Sequence, residues 1–233
     1  MPPYELMNDI AHLRIEYASS ALRSAGALDV DTYELKHRQN SPNPTQVINH
    51  LSEARVALMF LGNGAQVTMR DRPDLKIEWL GTTFYSEVKH INRKAQDELD
   101  EVAMRSTHGK LVPIADTSRI ERRHPYEQLC DVAVKKSSIC IDAAVNILVV
   151  DSCSESMEPA GAMAHSATRT FDEEVRKSPP GSALRRLHGI MLITSWGSVG
   201  RNSRNVAFAM TKYAAPPMSL KLIQALDSIG LCE

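Results

Sequence analysis

The hydrophobic period of this chain changes at Gly62-Asn63-Gly64, and that change limits the folds open to it more than any other feature. Before it, Leu6, Ile10, Leu13, Tyr17 and Ala21 recur every three or four residues, which predicts a helix over 4–25 stopped by Gly26. After it, Leu75, Ile77 and Trp79 alternate with Asp74, Lys76 and Glu78, the period of two that marks a strand. A chain carrying both periods in succession buries helix stripes against a sheet. The class expected is therefore α/β, a central mixed sheet flanked by helices.

The remaining segments extend this outline. Residues 29–43 are polar, carry Ser41-Pro42-Asn43-Pro44, and read as a turn-rich connector. A second helix is expected over 45–61. The G-x-G at 62–64 follows a helix rather than a strand, so it reads as a helix cap and not as a phosphate loop. Residues 66–70 suit a short strand, and Leu80-Gly81-Thr82 supplies a turn before a strand over 84–91. Residues 92–118 are polar, with a charged helix drawn over 94–105. Pro125 opens a helix expected to reach 142. A buried strand over 146–150 and a surface helix over 155–177 follow. Strands over 188–196 and 206–213 are expected to flank a polar loop at 197–204. A short amphipathic helix bearing Leu220, Ile223 and Leu226 comes last.

With 233 residues, 43% hydrophobic and 24% charged, the chain can bury one large core, alone or with a modest appendage. No apolar run approaches the roughly 18 residues of a membrane helix. The start Met-Pro-Pro-Tyr-Glu lacks the basic and apolar parts of a secretory signal, so a cytoplasmic location and no membrane partner are expected. Cys130, Cys140, Cys153 and Cys232 form no C-x-x-C pair and have no histidine at finger spacing, so they read as reduced, mostly buried thiols. A net charge of −1 argues against a protein that coats polyanions, but not against an enzyme whose basic groups are local. Such groups exist at Arg119, Arg122, Arg123 and His124, at Lys135 and Lys136, at Arg185 and Arg186, and at Arg201 and Arg204. Each taken alone reads as a solvated face.

The chemistry-bearing residues gather around the turn at Gly81. Alternation places Tyr85, Glu87, Lys89 and Ile91 on one face of their strand and Phe84, Ser86, Val88 and His90 on the other. Folding at Gly81 brings Asp74 toward Glu87, and Glu53 on the preceding helix adds a third carboxylate. Crowded carboxylates repel and are costly to bury unless a cation compensates. A hard divalent ion with oxygen ligands is the natural one. Such an ion polarises a phosphodiester and acidifies a bound water, while Lys89 positions that water or balances transition-state charge.

Pro73-Asp74 followed by Glu87-Val88-Lys89 resembles the PD-(D/E)-x-K signature of the restriction-endonuclease-like nucleases. The helix bearing Ser52-Glu53-Ala54-Arg55, the later helix from Pro125 and the strand over 146–151 stand where that family has its first core helix, second core helix and a central strand. The resemblance covers roughly residues 45–152. It implies a restriction-endonuclease-like core over 44–233 with an N-terminal helix and connector over 1–43. It implies Mg²⁺, with Mn²⁺ as a substitute, held by Asp74, Glu87 and the Val88 carbonyl. Lys89 would be the catalytic lysine, Glu53 an accessory ligand or water-positioning group, and Gln128 an accessory residue facing the site. The implied activity is phosphodiester hydrolysis in nucleic acid, DNA foremost, with Arg119, Arg122, Arg123, Arg201 and Arg204 gripping the backbone.

Competing readings follow from the same residues. Glu53 also suits a rim residue whose stem packs on the core. His90 and Tyr85 suit structural roles, and no serine or cysteine sits in a nucleophile elbow. The N-terminal stripe suits docking on its own domain or a homodimer contact. The whole chain suits a catalytically silent binder of nucleic acid or of a protein partner, or a structural protein with a coincidental triplet. In that last case Asp74 and Glu87 lie far apart.

Overall fold

The computed structural model describes residues 3–40, 44–91, 125–152, 160–198 and 201–229. Arg119, Arg122, Arg123, His124 and the helix expected over 94–105 lie outside the described residues. Helices α1 (Pro3–Ser24), α2 (Val30–Asn40) and α3 (Pro44–Gly62) precede strands β1 (Gln66–Met69), β2 (Leu75–Trp79) and β3 (Thr82–Ile91). Then come α4 (Pro125–Lys136), β4 (Val145–Ser152), α5 (Ala160–Lys177), β5 (Gly189–Ser198), β6 (Arg201–Met210) and α6 (Leu220–Asp227).

The six strands form one open mixed sheet in sequence order. β1, β2 and β3 make an antiparallel meander, β3, β4 and β5 run parallel, and β6 returns antiparallel to β5. The class is the expected α/β. The local chemistry of the turns explains the meander. At the end of α3 the Ala65 N–H reaches the Phe60 carbonyl and the Gly64 N–H the Leu61 carbonyl, with Gly64 at φ 82°. This is the Schellman cap that the glycine allows. Leu80 and Gly81 both hold positive φ between the paired residues Trp79 and Thr82, the two-residue geometry that matches strand twist.

All eight residues of β4 are buried, as expected of a parallel strand covered on both faces. Its Ile147 and Val149 join a core with Phe84 and Val88 of β3, Ala57 and Phe60 of α3, Leu22 of α1, Tyr33 of α2 and Leu222 of α6. Its Leu148 and Val150 join a second core with Leu129 and Ala133 of α4 and Met163, Ala167 and Phe171 of α5. So α3 covers the sheet face of Phe84, Ser86, Val88 and His90, and α4 with α5 covers the opposite face.

Three expectations need correction. The connector over 29–43 is in large part helix α2, because Val30, Tyr33 and His37 form a buried stripe at spacings of three and four inside a polar composition. The loop expected over 197–204 is mostly sheet. Ser195 pairs with Arg204 and Ser198 with Arg201, since an antiparallel ladder satisfies backbone groups whatever the Gly/Ser/Asn composition suggests. The helix expected to reach 142 ends at Lys136, where the Ser137 hydroxyl donates back to the Val134 carbonyl and a 3₁₀ turn over Ser137–Ile139 follows.

Candidate active site

β2 and β3 pair only from Trp79–Thr82 to Leu75–Ser86. β3 continues to Ile91, so beyond Ser86 its edge on the β2 side is left open, and the turn leading into Asp74 fills the start of that notch. The Arg70 N–H closes this turn onto the Asp74 carbonyl at 2.8 Å. The Asp74 side chain then does what the missing strand would have done, its Oδ2 accepting the Val88 N–H at 2.8 Å. In an extended strand the N–H and C=O of one residue leave on the same side. The Val88 carbonyl therefore also faces the notch.

Asp74 is 5% exposed and Glu53 is 5% exposed, too buried for bare carboxylates to be stable there. The compensating charge comes from α2. Leu28 bridges to Thr68 on the outer edge of β1, and α2 starts directly after it. The Tyr33 hydroxyl donates to the His50 carbonyl at 3.0 Å, docking α2 on α3. One turn further on, Lys36 Nζ donates to Glu53 Oε1 at 3.1 Å, to Glu53 Oε2 at 3.0 Å and to Asp74 Oδ1. Burial works against the Lys36 charge, but the attraction of Asp74 and Glu53 outweighs it and holds the ammonium well above its ordinary range. Asp74 is pushed up to about 8, first by burial and then by the negative charges of Glu53 and Glu87, which together overcome Lys36.

Glu87 lies on the other face of β3, as alternation predicts. Its Oε1 accepts from Lys136, in the last turn of α4, at 2.5 Å. Its Oε2 is buried and has no hydrogen-bond partner. Lys89 is half-buried and donates to Asn49 Oδ1 on α3 at 3.4 Å, which draws it across the open edge toward Asp74. Burial, and then the neighbouring charge of Lys136, lower its pKa, so its ammonium gives up a proton more readily than that of an exposed lysine. A small pocket with space for about one water adjoins Glu87 and is lined also by Pro73, Tyr85, Lys136 and Cys140.

A second polar cluster lies on the α3 side. His90 Nδ1 is 3.2 Å from Ser52 Oγ and 3.8 Å from Asp151 Oδ2, and Arg55 donates to Asp151. Ser52, His90 and Asp151 are all at most 5% exposed. Serine and aspartate approach the same ring nitrogen, so this is not the relay of a hydrolytic triad, in which they use opposite nitrogens. His90 thus has the structural surroundings expected of it.

Asp74 is within electrostatic reach of both Glu53 and Glu87, and Lys89 of Asp74 and Glu87. The hydrogen bonds of these three carboxylates run to Lys36, Val88 and Lys136 among the described residues, and none runs to Gln128, a half-buried residue of α4. Among the described residues no three His, Cys, Asp or Glu side chains converge closely enough to hold an ion by themselves. Arg201 and Arg204 belong to β6 rather than to a loop. Lys36 escaped sequence reasoning because its segment read as connector; the buried spacing Val30, Tyr33, His37 was the signal. Lys136 was visible only as part of a basic pair. Comparison with protein-family models, with curated proteins and with solved structures gave no match.

Proposed function

We propose that the chain is a metal-dependent nuclease of the restriction-endonuclease-like type, hydrolysing phosphodiester bonds in nucleic acid, DNA foremost. One observation carries the reading: at the open edge of β3 the Val88 N–H holds the Asp74 carboxylate, whose pKa is raised by burial and by the negative charges of Glu53 and Glu87. The order α3, β1–β3, α4, β4, with β4 parallel to β3, supports it as well, because the resemblance implies that same core.

The donor set suits Mg²⁺, which takes one or two carboxylates and keeps waters, and Mn²⁺ would substitute. The unpartnered Glu87 Oε2 is a buried acceptor of the kind that a cation satisfies. Asp74, Glu87 and the Val88 carbonyl would hold the ion, which when bound neutralises phosphate charge and acidifies a water. Asp74 is oriented for this by the Val88 N–H, which keeps its carboxylate on the notch. Lys89, with its lowered pKa, takes up or donates a proton at Nζ beside the attacking water. Lys136 holds the Glu87 carboxylate through Oε1 and leaves Oε2 directed elsewhere.

The test is cleavage of plasmid and oligonucleotides in Mg²⁺ and in Mn²⁺ by wild type, Asp74→Ala and Lys89→Ala. Wild type should cut, Asp74→Ala should fall to background, and Lys89→Ala should lose about 10²–10³ in rate. Equal activity in all three proteins, or strong cutting in EDTA, would defeat the reading. The second reading, a catalytically silent binder of nucleic acid or of a protein partner, draws on Lys36 and Lys136, which already neutralise much of the cluster. It requires nucleic-acid binding of equal strength with and without divalent ions.

A further inference from the structure

The segment ahead of α3 reaches the candidate site through one side chain. Residues 28–40 precede the part of the chain that carries Asp74, Glu87 and Lys89, and they are fastened to the fold at two places. The Leu28 N–H donates to the Val67 carbonyl and the Met69 N–H to the Leu28 carbonyl, both at 2.9 Å, which ties the start of α2 to β1. Val30 and Tyr33 are buried, and the Tyr33 hydroxyl donates to the His50 carbonyl of α3. Backbone and apolar contacts thus dock α2 before Lys36 is counted.

Lys36 adds a different kind of contact. Its side chain is 15% exposed, and Nζ donates to both Glu53 oxygens and to Asp74 Oδ1. Asp74 Oδ2 accepts the Val88 N–H at 2.8 Å. The Asp74 carboxylate is therefore gripped from two sides, one oxygen by a helix and the other by the strand that carries Glu87 and Lys89. Each carboxylate oxygen accepts at two sites, so both bonds leave a lone pair free. For stability the arrangement returns little, because desolvating an ammonium and two acids offsets most of their attraction. For fixing a carboxylate it is effective: without the ammonium, the charge of Glu53 would push Asp74 away from its bond to Val88.

We propose that Lys36 is a positioning residue, through which α2 holds the Asp74 carboxylate on the Val88 N–H in the orientation that the reaction uses. For its effect on catalysis the inference rests on the nuclease reading; the geometry it assigns to Asp74 does not. Helix α2 then belongs to the working site, and Glu53 serves as the anchor of Lys36.

The experiment reads Asp74 directly and then through catalysis. Wild type, Lys36→Met and the double variant Lys36→Met/Glu53→Gln are labelled with ¹⁵N-valine, and the Val88 amide is identified by its loss in Val88→Ile. In EDTA this amide should move upfield and exchange faster in both variants than in wild type, as a hydrogen bond to a charged acceptor is lost. In Mg²⁺, kcat for oligonucleotide cleavage should fall about 10²-fold with KM within about twofold of wild type, the sign of a misplaced reacting group rather than of lost substrate binding. The double variant removes a negative charge along with the positive one, so it keeps the test open where Lys36→Met alone does not fold.

A Val88 amide unmoved in the variants overturns the inference, and so does a wild-type kcat in either of them. A loss confined to KM assigns Lys36 to substrate binding and overturns its positioning role. A moved amide beside a wild type that cuts nothing leaves Lys36 holding Asp74 and removes the nuclease reading.

Discussion

Two charged clusters straddle α3 and β3, and they have been resolved in opposite ways. Around Asp151 the accounts balance: Arg55, His90 and Ser52 surround one carboxylate. Burial alone would raise the pKa of Asp151, but His90, the Arg55 charge and Ser52 outweigh it and hold the acid below its ordinary value. Around Asp74 three carboxylates share two close ammonium groups, one carboxylate oxygen goes without a hydrogen bond, and the central acid is pushed up to about 8. A cluster that serves only the fold tends toward full satisfaction, because each unpaired buried group costs stability. A cluster left short is where a ligand gains most. The contrast, more than either cluster alone, is what directs the functional reading to the β3 edge.

The contrast can be broken by removing the acid of the satisfied cluster. Asp151→Ala should lower unfolding free energy by about 2–3 kcal/mol, less than for a fully buried pair because the Arg55 side chain is a third exposed. Chemical denaturation checks this, and Mn²⁺ uptake measured on the same variant should not change. A stable Asp151→Ala that has lost metal uptake would reverse the roles assigned to the two clusters.

The pH dependence separates the clusters in sign. Asp74 has a folded-state pKa raised from the ordinary carboxylate range to about 8, so the folded chain binds its proton more tightly than the unfolded chain does. Its contribution is complete below about pH 4 and is lost as pH rises through about 8. Asp151, lowered in the folded state, contributes in the other direction, losing its stabilisation as the pH falls through its depressed value. In EDTA, denaturation midpoints should therefore decline between about pH 4 and pH 8 for wild type, and Asp74→Asn should flatten that decline. A wild-type profile that rises across this window would contradict the assignment of Asp74.

The smallest expected effect concerns Gln128. With no hydrogen bond to the acidic cluster, Gln128→Ala should alter stability and cleavage by no more than about twofold, the ordinary cost of a substitution away from a site. A loss of an order of magnitude in cleavage at unchanged stability would return Gln128 to the machinery.

Much of this was legible because the relevant signals are local. Val149 and Val150 point to opposite faces of β4 because side chains alternate along any strand, and the same rule separated Glu87 and Lys89 from Val88 and His90. Gly64 and Gly81 marked a cap and a turn because positive φ suits glycine best. Helix α2 was not legible as a helix, since its stability comes from Tyr33 and Val30 docking on α3 rather than from its own polar composition. The β5–β6 hairpin was misread where composition stood in for pairing.

By itself the sequence determined the α/β class, the strand that carries Glu87 and Lys89, and the turn that folds Asp74 back toward them, all of which follow from residue period and backbone sterics within a few positions. Only the tertiary structure decided which cations meet those acids. Lys36 lies 17 positions from Glu53 and 38 from Asp74, and Lys136 lies 49 from Glu87, so no local rule relates them. Coulomb attraction acts on distance in space, and that distance was set by the apolar packing of α2 on α3 and of α4 against the sheet.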